Sequence, residues 1–184
     1  MTATGPSTTF NARQLETVNN AVALSEELVS NHYKMSASQW LRPKYDVKTL
    51  VGLSADEIVQ GPFAQVVRYV GKRQNAVLGS AAYDFYKICL QDHAILDAIQ
   101  QDSRLNLLPF TLYIVAHELV HIVRFSKFLQ SFDASPDEKI AEEARVHHET
   151  RVILAKVQIK GIDAVLDYYS TWQQPLENLQ NPSL

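Results

Sequence analysis

The chain has 184 residues, 46% of them hydrophobic and 20% charged, a balance ordinary for a soluble globular protein and a length suited to one well-buried domain. Its formal net charge of −3 offers no basic excess for a nucleic-acid partner, and its single cysteine, Cys89, rules out an internal disulfide and fits a reducing compartment. The first ten residues are polar and lack the positive segment and apolar core of a secretory signal, so a cytoplasmic location is expected.

Residues 1–10 read as a flexible tail. A helix is predicted from about Asn11 to 31–33, with Leu15, Val18, Val22, Leu28 and Val29 approximating its apolar face and Glu26 and Glu27 on the other side. Residues 34–46, with Trp40, Leu41 and Pro43, read as a packed loop. Ser54-Ala-Asp-Glu57 is a capping-box pattern that opens a short helix toward Gln60, and Gly61-Pro62 stops it. Residues 63–70 are rich in strand formers, and Gly71-Lys-Arg-Gln could turn the chain. Residues 83–90 suit either a strand or the first half of a helix running through Ile99. The reading adopted is a small sheet followed by a helix at about 93–101, with Asp92 as a candidate N-cap.

Pro109 suits the first turn of a helix over about 109–129. A loop at 131–137 then leads into a long helix over 136–160, ended by Gly161. A last helix is predicted over 162–172, with Val165, Leu166 and Tyr169 facing inward, and 173–184 form a polar tail. The expected architecture is one α+β, mainly helical domain spanning residues 11–172.

One stretch carries chemistry. His117-Glu118-Leu119-Val120-His121 places two histidines four apart on a helix, where both imidazoles project from the same face and can reach one ion. Glu118 points to a neighbouring side, within reach of a water on that ion, which is the H-E-x-x-H arrangement of zinc hydrolases. The flanking Val115, Ala116, Leu119, Val120, Ile122 and Val123 bury this helix, so its polar groups need partners, and a metal ion would supply them. The same polar residues make a membrane-spanning role costly. The competing reading is a pair of core histidines bonded to backbone, with Glu118 paired to an arginine.

A catalytic zinc site wants a third protein ligand. Arg124 and Lys127 stand where the extended metzincin pattern needs glycine and histidine, so that pattern is absent. Candidates cluster at 142–149. Ile140, Glu143, His147, Thr150, Leu154 and Val157 share one helical face, apolar at both ends and so expected to turn inward. Glu143 is the preferred third ligand, with His147 beside it, and Glu142 and His148 are the nearest rivals. His93 and His32 read as surface or capping residues, and Tyr83, Phe85 and Tyr86 as packing.

The segment Ile114-Val-Ala-His117-Glu118-Leu-Val-His121-Ile-Val123, with a glutamate on a second helix after a loop, resembles the gluzincin branch of zinc metallopeptidases. The resemblance covers only residues 109–157. It implies a zincin-like fold, Zn2+ bound by His117, His121 and Glu143, and Glu118 as general base in hydrolysis of a peptide or protein substrate. Members often carry an aspartate four residues after the ligand glutamate; here that position is His147, which would orient a ligand or stabilise the oxyanion instead. Family members also bind peptide along a sheet edge, a role open to strands at 63–70 or 83–90. Donors for the oxyanion could come from His147, His148, Arg145, Arg151, Tyr168 or Tyr169. Two other classes compete: a non-catalytic metal-binding or interaction protein, and a carboxylate-bridged di-iron protein built on Glu118-Leu-Val-His121, which lacks a second such unit.

Overall fold

The computed structural model describes residues 9–40, 44–72 and 82–171. The chain runs α1 (Ala12–Tyr33), α2 (Ala37–Trp40), β1 (Lys44–Lys48), short 3-10 turns at Leu50–Gly52 and Ala55–Glu57, β2 (Ala64–Lys72), β3 (Ala82–Leu90), α3 (Asp92–Gln101), α4 (Leu107–Ser126), α5 (Pro136–Leu154) and α6 (Ile162–Thr171). It is an α+β fold, mainly helical, as expected. The proposed tails lie almost wholly outside the described residues; Phe10, at the end of the first, is buried and its N–H donates to Asp92.

The core is organised around α4. Every position from Pro109 to Val123 except Glu118 is buried, most of them leucine, isoleucine, valine or aromatic, so this helix is buried all round rather than along one stripe. By length and composition α4 could cross a membrane, but 78% of its apolar window is buried inside the fold. Against one side lies α1, opened by an Asn11–Gln14 capping box, which presents Val18, Ala21, Ser25 and Val29 at helical spacing. Ser25 at the middle of that stripe donates to the Leu112 carbonyl across the interface. Each fully buried valine on such a face contributes roughly 1.5–3 kcal/mol.

A three-stranded sheet in the order β1-β3-β2 covers another side of α4. β2 and β3 are antiparallel, with Ala64 opposite Leu90 and Lys72 opposite Ala82, while β1 runs parallel to β3. Tyr86 and Ile88 of β3 are buried toward the helices, and Tyr86 stacks on Phe125. α6 closes a further side, placing Tyr168 and Tyr169 against Phe110 and Tyr113.

Several expectations need correction. Within the segment read as a loop over 34–46, residues 44–46 begin β1, which runs to Lys48. Its alternation is brief, and the parallel pairing that makes it a strand comes from β3, forty residues away. The helix foreseen after Ser54 is one 3-10 turn, although its capping box forms. Asp92 is the first residue of α3 rather than its cap: its carboxylate accepts from the N–H groups of Phe10 and Leu50. β3 is the central strand, so of the two segments offered as a sheet edge only β2 lies at one among the described residues. α4 begins two residues before Pro109 and ends at Ser126, and α5 ends at Leu154 rather than near 160.

Candidate metal centre

α4 and α5 build the site between them. Tyr113, His117, His121 and Phe125 are spaced by four on α4, and the first three of them meet His147 and Glu143 of α5. α5 starts from a Ser135 cap with Pro136 at its first position and a Ser135–Glu138 capping box, which sets its phase. That phase buries Glu142, Glu143, Val146, Thr150, Ile153 and Leu154 and leaves His147 half-buried. Ile140, expected on the inward face, is 39% exposed.

Glu143 joins the two motif histidines. Its Oε2 lies 3.2 Å from His117 Nε2 and its Oε1 lies 2.9 Å from His121 Nε2. The ligand-capable atoms of His117, Glu143 and His147 all lie within 4.8 Å of one another, and the His117 and His147 rings are 4.4 Å apart. Two side chains hold the outer ends of His121 and His147. Gln130 Oε1 is 3.2 Å from His121 Nδ1, and the Tyr113 hydroxyl is 2.7 Å from His147 Nδ1. Tyr113 in turn stacks on Tyr169 with centroids 3.9 Å apart.

Burial and charge act against each other here. Burial opposes ionisation of Glu143, but the two histidines outweigh it and hold its carboxyl well below the usual range. Burial lowers the His121 pKa, the Glu143 carboxylate outweighs it, and the net position is about 9. His147 goes the other way, down to about 3, through burial first and the charge of His117 second. Glu118 is pushed up by burial, with the neighbouring histidines pulling it back only in part. No hydrogen bond or ion pair joins the Glu118 side chain to another described residue.

The donor set suits a divalent transition metal: among the described residues, two imidazoles and a carboxylate, from His117, His147 and Glu143, lie close enough together to share an ion, while His121 meets the other Glu143 oxygen without joining that group. His117 Nδ1 is buried without a hydrogen-bond partner among the described residues, so packing rather than an outer contact sets this ring. The rival ligands fall away. Glu142 is held by Arg124 in a two-armed ion pair and by Arg145 Nη1 at 3.4 Å, and His148 is exposed. The competing reading pairs Glu118 with an arginine; among the described residues no ion pair joins Glu118 to one, and Arg124 is held by Glu142 instead.

The remaining donors are dispersed. Arg151 donates to the Leu166 carbonyl, Tyr168 packs on Phe110, and Tyr169 lies 5.7 Å from the His147 ring. His32 pairs with Glu149 at 2.8 Å, and His93 Nε2 lies 3.1 Å from the Val59 carbonyl. Sequence reasoning missed Tyr113 and Gln130. The spacing of four from His117 could have found Tyr113; Gln130 lies beyond the helix end, where no periodicity applies. None of the protein-family models, curated proteins or solved structures compared with this chain matches it.

Proposed function

We propose that the protein is a zinc-dependent hydrolase, with peptides or proteins as its substrate class, and that the helix pair is zincin-like. One observation carries this: the two oxygens of Glu143 face the Nε2 atoms of His117 and His121, four apart on α4. His117, His121 and Glu143 would hold the ion. When bound, zinc lowers the pKa of a water to roughly 7 and polarises a carbonyl. Glu118 has no hydrogen-bond or ion-pair partner among the described residues and a pKa raised by burial, so it is suited to take the water's proton and deliver it to the leaving amine. The His147 ring, neutral at pH 7, stands beside the ligand set. β2, an edge strand among the described residues that packs on α4, offers backbone groups for an extended peptide.

A second reading has its own support. His147 lies within ligand distance of His117 and Glu143, and four protein ligands would close the site and leave a non-catalytic metal centre. The di-iron reading has less, since it needs further carboxylates and Glu142 is already taken by Arg124. The test is metal content followed by turnover. Protein prepared with zinc should carry one ion per chain, and Glu118→Gln should keep it while losing at least about 100-fold in hydrolysis of a peptide library. Absence of stoichiometric zinc, or an unchanged rate in Glu118→Gln, overturns the proposal.

A further inference from the structure

We infer that Tyr113 fixes His147 in the tautomer protonated on Nε2, which removes His147 from the ligand set and makes it a hydrogen-bond donor facing an open site. This deepens the zinc-hydrolase reading and rests on it for its catalytic meaning, but not for the tautomer itself.

A neutral imidazole carries one ring proton, and the nitrogen without it is the only one that can bind a metal. His147 Nδ1 lies 2.7 Å from the Tyr113 hydroxyl. Two arrangements satisfy that distance. In the first, Nδ1–H donates to the phenol oxygen, which leaves Nε2 bare and able to ligate. The phenol must then send its own proton to another acceptor. Tyr113 is 2% exposed and has no other hydrogen-bond partner among the described residues, so that proton would be buried and unsatisfied. In the second, the phenol donates to Nδ1 and both groups are satisfied. Nε2 then carries the proton.

The ring is poorly free to escape this choice. Tyr113 is clamped by stacking on Tyr169 at 3.9 Å, so its hydroxyl cannot swing away from His147. His147 is held between Tyr113 and His117, with centroids 6.1 and 4.4 Å away. With Nδ1 engaged by the phenol, Nε2 is the end left for the site. A donor there cannot complete a four-ligand cage. It can instead receive the negative charge that develops on a carbonyl oxygen during hydrolysis. Tyr113 is then a positioning residue, acting through His147.

The test reads the tautomer directly. Long-range 15N–1H NMR of uniformly labelled protein distinguishes protonated from bare ring nitrogens, and the His147 signals are identified by their loss in His147→Gln. The expected result, with and without added zinc, is a protonated Nε2 and a bare Nδ1. A protonated Nδ1 with a bare Nε2, or a zinc-induced shift of Nε2 into the metal-bound range, overturns the inference. In Tyr113→Phe, which keeps the ring and its stacking, the His147 signals should move toward a mixture of both tautomers; an unchanged spectrum overturns the positioning role. Zinc affinity supplies an independent reading. His147→Gln should weaken zinc binding by no more than the roughly 10–100-fold that outer contacts reach, and a larger loss marks a ligand and overturns the inference. Loss of the hydrolase reading alone would appear as the expected tautomer in a protein with no turnover.

Discussion

Adjacent glutamates on α5 have separate employments: Glu142 neutralises Arg124 and Arg145, while Glu143 faces the histidines. A third buried acid, Glu57, shows the same logic outside the site. It is 2% exposed, and its carboxylate accepts from Lys87 Nζ at 2.6 Å, the Tyr69 hydroxyl and the Ser54 N–H. Lys87, then Tyr69, then Ser54 draw its pKa from the ordinary 4.5 to about 2. The folded value lies below the unfolded one, so Glu57 stabilises the fold above pH 4.5. That contribution fades as pH falls from 4.5 toward 2. Glu57→Gln should therefore lower stability at pH 7 by about 1–2 kcal/mol, the range of bonds to charged groups with a discount because Lys87 remains 21% exposed. Urea midpoints at pH 7 and pH 3 check this: the gap between variant and parent should shrink at pH 3. A gap of equal size at both values would show that packing, not charge, accounts for the loss.

At the scale of elements, what the chain reveals depends on how local the cause is. α1, α3, α4 and α6 were legible as helices because the apolar residues that bury them lie within their own spans, although the exact ends of α4 and the cap of α3 were not. Glu143 was legible for the same reason, since the phase of α5 is set at Ser135 and carried forward turn by turn. β1 was not, because it becomes a strand through pairing with β3. The end of α5 was also misjudged. Gly161 reads as a helix stop, yet α5 ends at Leu154 and Gly161 instead opens α6 at a φ of +91°. The turn lets Val157 and Ile159 reach the core, a tertiary demand with no local signature. A Cβ at Gly161 would meet Asn106 Nδ2 at 3.1 Å and Pro109 Cγ at 3.3 Å, at the start of α4. Gly161→Ala should cost about 1–3 kcal/mol from backbone strain, read as a lower urea midpoint with an unchanged slope. A gain in stability would mean that the backbone relaxes to a negative φ.

For the whole molecule, the candidate site matters because of where it lies between parts. α4 packs against α1, the sheet and α6, whereas α5 rests mainly on α4 and more lightly on α1. The residues that would hold zinc come from both helices, two from α4 and one from α5, so an ion would tie α5 to the best supported helix. A ligand that binds only the folded chain stabilises it by RT ln(1 + [L]/Kd), about 2.7 kcal/mol at a hundredfold excess over Kd. For a chain of this size that corresponds to a rise in Tm of roughly 5–10 °C. Thermal unfolding with and without zinc should show this rise, and a chelator should reverse it. The two adjacent acids then separate linkage from simple stability. Glu143→Gln should abolish the zinc-dependent rise, because it removes the α5 ligand. Glu142→Gln should lower the starting Tm, because it leaves the half-buried Arg124 without its carboxylate, yet keep the rise. Equal loss of the rise in both variants would mean that the ion is not held through Glu143, and the bridge between α4 and α5 would have to be assigned to other residues.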